Sequence, residues 1–145
     1  MRGYCLIRIQ FRPDFCIALA VVFLLLPLPW VFGWLLAVTV HELGHYACLR
    51  ILKVQVYCMR IGMNGAKMLT APMTDDQELL CALAGPASGL LLVFFYKWLM
   101  PMAVCAGFHC LFNLIPIYPS DGGRALACLR RLRKEKKLLA KEAKK

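Results

Sequence analysis

Charge is scarce in this chain: Asp, Glu, Lys and Arg make up 18% of its 145 residues, while hydrophobic residues make up 61%. An ordinary soluble domain carries roughly a quarter charged residues. The balance and the positive mean hydropathy exclude a typical soluble class and place the chain among small membrane domains. No C-x-x-C pair occurs among its eight cysteines (Cys5, Cys16, Cys48, Cys58, Cys81, Cys105, Cys110, Cys128), which are scattered mostly through apolar runs. That absence excludes a zinc ribbon and gives no sign of a disulfide framework, leaving the cysteines as expected small buried hydrophobes. No small-residue cleavage site follows the apolar run after the basic "MRGYCLIRIQFRPDF". A retained membrane segment is therefore expected rather than a signal peptide. The net charge of +10 would suit a nucleic-acid partner, but Arg124 to Lys145 alone hold ten Lys/Arg against Glu135 and Glu142. Most of the charge is a tail, and no nucleic-acid partner is expected.

The apolar run from Phe15 to Val40 is broken by "PLP" at Pro27 to Pro29, because proline lacks a helix donor and clashes with the preceding turn. Two helices are expected, from about Asp14 to Leu26 and from Trp30 to about Leu52. The first is short for a bilayer, which takes about 20 residues. "KVQVYCMRIG" then alternates in period two and leads into "MNGAK", which predicts a short strand or hairpin. "TDDQ" at Thr74 to Gln77 reads as a capping box opening a third helix that runs to Trp98, with Gly85, Pro86 and Gly89 giving a thin face for close backbone approach. A fourth helix is expected from about Pro101 to Pro116, followed by "PIYPSDGG", which two prolines and two glycines keep irregular. The expected fold is an all-α membrane protein of about four transmembrane helices, with a β-hairpin-like insertion between helices 2 and 3. Residues 1–123 form its core and 124–145 a basic cytoplasmic tail helix. With both termini cytoplasmic, seventeen of the eighteen basic residues fall inside and only Lys97 outside, as the positive-inside rule favours.

His41, Glu42 and His45 form H-E-x-x-H on the second helix. At about 100° per residue the histidines lie about 40° apart and Glu42 about 100° from His41, so the three share one side. Two imidazoles so placed can ligate Zn²⁺, and a glutamate beside them can take a proton from water at the metal. Ionisable residues on a spanning helix cost about 2.5 to 3.5 kcal/mol each even on lenient scales, which argues against chance retention. Rise per residue puts His45 about 10 Å from the inner end of the helix at Leu52 and His41 about 16 Å from Trp30.

Catalytic zinc usually has three protein ligands and one open position. Asp14, Asp75, Asp76, Glu78 and Asp121 are the candidate carboxylates for the third ligand. The first four are accounted for by helix starts, whereas Asp121 follows the broken segment that the fourth helix reaches near Asn113, about 18 Å below its start. Irregular backbone at that depth is tolerated where it lines a watery cavity, which a hydrolase needs. Asp121 can otherwise be read as an ordinary Asp-Gly turn at the membrane surface.

"HELGH", then "AGPASG", then "NLIPIYPSDGGR" resemble the site-2 protease family of intramembrane zinc metalloproteases, and the short first helix without an added domain resembles its sporulation-type branch. The resemblance runs from Phe15 to Arg124. It implies Zn²⁺ on His41, His45 and Asp121, Glu42 as catalytic base, Asn113 lining the substrate site, and a membrane-tethered substrate such as a regulator or sigma-factor precursor. The family commonly has asparagine where this chain has Gly89 and leucine where it has Ser120. The departure at Gly89 motivates the alternative of a catalytically inactive zinc-binding membrane regulator. His109 shares a face with Asn113 and reads as a structural or a substrate-contacting residue. Cys48 shares the side of His45, but a thiolate would make a softer, more closed site than hydrolysis wants. The "KVQVYCMRIG" strand can be packing or can pair with an extended substrate.

Overall fold

The computed structural model describes residues 8–63 and 65–143. Expectations resting on Arg2, Cys5, Asn64, Lys144 and Lys145 lie outside them. Within that span the chain runs β1 (Arg8–Phe11), α1 (Pro13–Leu25), α2 (Leu28–Ile51), β2 (Val56–Gly62), β3 (Gly65–Thr70), α3 (Asp75–Val93), α4 (Met100–Leu114) and α5 (Asp121–Glu142). The four expected helices appear within a few residues of their expected bounds, each opening where a proline or a cap permits. Pro13, Pro29 and Pro101 occupy the first turns of α1, α2 and α4, where a missing N–H costs nothing. α3 opens on the expected capping box: Gln77 N donates to Thr74 Oγ1 (3.3 Å), and Thr74 N donates to Gln77 Oε1 (3.1 Å).

Two elements differ from expectation. Arg8–Phe11, read as a basic flank of the first helix, is a strand lying parallel to β2, with Arg8 opposite Cys58 and Phe11 opposite Ile61. Its partner is fifty residues away, so nothing local announces it. α5 begins at Asp121 rather than near Arg124. Ser120 supplies the cap, its hydroxyl accepting from Gly123 N (3.2 Å) and lying 2.7 Å from the Ile117 carbonyl. The sheet order is β1-β2-β3, with β3 antiparallel to β2, so β3 is an edge strand.

Among the described residues no helix is long and apolar enough to cross a membrane. α1 and α4 are apolar but have only 13 and 15 residues. α2 has 24 residues, but His41, Glu42 and His45 lie within it, and α3 starts with Asp75, Asp76 and Glu78.

The packed centre is small and lies where α2, α3, α4 and α5 meet. Val31, Ala37, Leu49, Ala82, Met102, Ala106, Cys110 and Cys128 are almost fully buried there. The cysteines divide: Cys58, Cys81, Cys110 and Cys128 are buried as expected, Cys48 and Cys105 half-buried and Cys16 exposed, all as free thiols. Glycines set the closest approaches. A Cβ on Gly123 would lie 2.7 Å from the Ile117 carbonyl carbon, so the two glycines after Asp121 let α5 start directly against the turn that leaves α4.

Candidate metal centre

α2 runs through the middle of the helical group and turns His41, His45 and Leu49 inward, one face at i, i+4 and i+8. His41 and His45 are buried, as is Asp121 at the first position of α5, 76 residues beyond His45. There the positive end of the helix dipole favours the carboxylate.

Three atoms converge. Asp121 Oδ2 lies 3.0 Å from His41 Nε2 and 3.1 Å from His45 Nε2, and the two Nε2 atoms are 3.2 Å apart. The second nitrogen of His45, Nδ1, lies 2.8 Å from the Cys81 carbonyl oxygen, which can only accept. His45 Nδ1 therefore carries a proton, and in the neutral ring Nε2 is the nitrogen left to offer a lone pair. With Nε2 deprotonated on both imidazoles, the three facing atoms are a donor set for a cation. A tetrahedral zinc with bonds of about 2.05 Å needs ligand atoms about 3.3 Å apart, within a few tenths of an ångström of the observed triangle. His41, His45 and Asp121 thus form a group able to hold a metal ion, and its two-imidazole, one-carboxylate donors suit zinc.

The remaining expected site residues lie close by. Glu42 lines the same cavity of about 350 Å³, together with Met68, Asn113, Tyr118, Pro119 and Arg124. It does not join the metal-holding group; its Oε1 accepts a hydrogen bond from Ala66 N at the start of β3 (3.0 Å). Asn113 Nδ2 lies 3.0 Å from the His109 carbonyl oxygen and 3.1 Å from His109 Nε2. The His109 ring meets His41 edge-on at 4.6 Å, so it buttresses the metal group from the side of α4. Cys48 packs instead with Leu49, Val56 and Cys81. Of the other carboxylates, Asp14 pairs with Arg12 (3.3 Å), and Asp75 and Glu78 with Arg131 (2.7 and 2.8 Å).

Three features of the site escape sequence reading. The carbonyl of Cys81 and the amide of Ala66 are backbone groups and leave no mark in residue type. The thin face at Gly85 is visible in the sequence, but what it admits is the His45 ring rather than a backbone: a Cβ there would overlap the imidazole. We expect Gly85→Ala to destabilise the fold by about 1–3 kcal/mol through overpacking and to lower bound metal by displacing His45, as thermal melts and metal analysis would read. Gly89, where the resemblance anticipates asparagine, faces Cys110: a Cβ there would lie 2.5 Å from its Sγ and 3.8 Å from His41 Nδ1. Cys110 fills the room a side chain at position 89 would take.

A largely helical frame with a small sheet holds a two-histidine, one-carboxylate group in a cavity, and that group is a candidate metal centre. The fold is similar to that of the Site-2 Protease from Methanocaldococcus jannaschii, with a TM-score of 0.61 and 22% sequence identity over 83% of this chain. The match spans 66% of the length of that chain. No protein-family model and no curated protein sequence matches.

Proposed function

We propose that this chain is an intramembrane zinc metalloprotease that hydrolyses a peptide bond in or near a transmembrane segment of a membrane-tethered protein. The observation that carries the reading is the triangle of ligand atoms of His41, His45 and Asp121 beside Glu42, in a fold similar to a site-2 protease.

A membrane setting is supported by the outer surface. α1 buries none of its residues, although every one but Pro13 and Asp14 is apolar or small. Leu24, Phe94, Trp98 and Ile51 are each more than three-quarters exposed. So much apolar surface in contact with water would be an aggregation hazard, whereas hydrocarbon accepts it. The segments interrupting the apolar character of α2 are the ones this chemistry needs. Both termini are then cytoplasmic and the basic tail sits on the side of the anionic leaflet.

His41, His45 and Asp121 would hold the zinc, which when bound would supply Lewis acidity toward the scissile carbonyl. Glu42, with Oε1 fixed by the Ala66 amide, takes a proton from the attacking water on its free oxygen and delivers it to the leaving amine. Asn113, which also lines the cavity, contacts the substrate backbone. β3 is an edge strand, and Ala66, Lys67, Met68 and Thr70 line the cavity. An unwound substrate segment can add to that edge, where main-chain hydrogen bonds hold it extended beside Glu42. The substrate class the resemblance favours is a membrane-tethered regulator, with a sigma-factor precursor as the sporulation-type example.

Purified protein reconstituted in bilayers should cleave a single-span substrate, lose the activity to a zinc chelator and regain it with added Zn²⁺. Cleavage indifferent to chelation would overturn the metalloprotease reading. Stoichiometric zinc without cleavage would favour the inactive regulator, which the departure at Gly89 motivates.

A further inference from the structure

The two oxygens of Asp121 face different surroundings. Oδ2 meets both imidazoles, whereas Oδ1 lies 3.8 Å from Nη1 of Arg124, one turn further along α5. Arg124 is half-buried, lines the cavity, and is itself bracketed from α3, its Nε lying 3.7 Å from Glu78 Oε1. The other oxygen of Glu78 accepts from Arg131 Nη2 (2.8 Å), whose Nε donates to Asp75 (2.7 Å). Asp75, Glu78 and Cys128 are close enough together to suggest a second metal group. The Arg131 guanidinium, 3.1 Å from Cys128 Sγ and bonded to both carboxylates, already occupies that position.

We propose that Arg124 is a positioning residue for Asp121: anchored by Glu78, its guanidinium draws Oδ1 away from the metal position and leaves Oδ2 alone to face His41 and His45. A carboxylate free to rotate about its last torsion would alternate between one-oxygen and two-oxygen ligation. A cation on one oxygen removes that freedom, and ligand-orienting partners of this kind typically contribute 10–100-fold in metal affinity. Arg131 has a different task. It ties α5 to the start of α3 without touching Asp121. The proposal rests on reading Asp121 as a metal ligand.

The two arginines therefore give separable results. In the full chain in detergent, Zn²⁺ affinity by chelator competition and the visible spectrum of the Co²⁺-loaded protein are the readouts. Arg124→Ala should weaken Zn²⁺ by about 10–100-fold and alter the Co²⁺ bands, with Arg124→Lys recovering part of the affinity. Arg131→Ala should lower the melting temperature and leave affinity and spectrum as in the parent. The double exchange Arg124→Glu with Glu78→Arg keeps a pair between α3 and α5 but sets a carboxylate beside Asp121, so it should stay impaired. Parent-like affinity in Arg124→Ala would overturn the proposal, as would an equal loss in Arg131→Ala or full rescue by the exchange, since either would mean that helix docking alone matters. A parent chain that binds neither ion overturns the metal reading and this proposal with it, whereas parent binding with an indifferent Arg124→Ala removes only the latter.

Discussion

Glu42→Gln should keep its zinc and lose cleavage by about 10²–10⁴-fold, the usual contribution of a positioned general base. The substitution is nearly isosteric, and the amide oxygen of glutamine can still accept from Ala66 N, the one hydrogen bond the Glu42 carboxylate makes among the described residues. Nothing in the metal group changes, because Glu42 is outside the triangle of His41, His45 and Asp121. What disappears is the basic oxygen that must accept a proton from water. Metal analysis and cleavage of a reconstituted single-span substrate, run on the same preparation, separate the two effects. A glutamine variant that cuts at the parental rate would remove Glu42 from the mechanism.

Asp121→Ala should strip the metal. Structural zinc sites with four protein ligands release about 10–16 kcal/mol on binding, so one ligand is worth about 2.5–4 kcal/mol and losing Asp121 should weaken binding by roughly 10²–10³-fold. His41 and His45 would remain, 3.2 Å apart at Nε2, with no anionic partner between them. The fold should survive, since Ser120 still caps α5 and Arg131 still joins that helix to α3. Unchanged zinc content in a folded Asp121→Ala protein would move the third ligand elsewhere, and with it the argument about Arg124.

The two halves of the site differ in how openly the sequence shows them. His41, Glu42 and His45 lie within one and a half turns of a single helix, and helix periodicity alone puts them on one side. Asp121 comes from a helix 76 residues beyond His45, and its place could be argued only by setting aside carboxylates that open helices. In the structure Asp121 opens a helix too, as the first residue of α5 after its Ser120 cap. Helix starts therefore do not separate it from Asp75 and Glu78. What separates them is company: those two meet Arg131, while Asp121 meets two imidazoles.

The remaining surprises have the same origin. β1 could not be foreseen because four residues become a strand only when β2 offers a ladder to join. The Ala66 amide and the Cys81 carbonyl act through backbone that every residue possesses, so composition is silent about them.

By itself the sequence determined the breaks at the prolines, the capping box at Thr74, the apolar faces and the side of α2 on which two imidazoles and a carboxylate gather. Each follows from interactions within a few residues. Only the tertiary structure decided which carboxylate completes the metal group, which proton His45 carries, what holds Glu42, and that Arg124 stands behind Asp121. Those depend on atoms from α3, α4, α5 and β3 meeting α2, and proximity between distant segments is settled by packing, where local preference has no say.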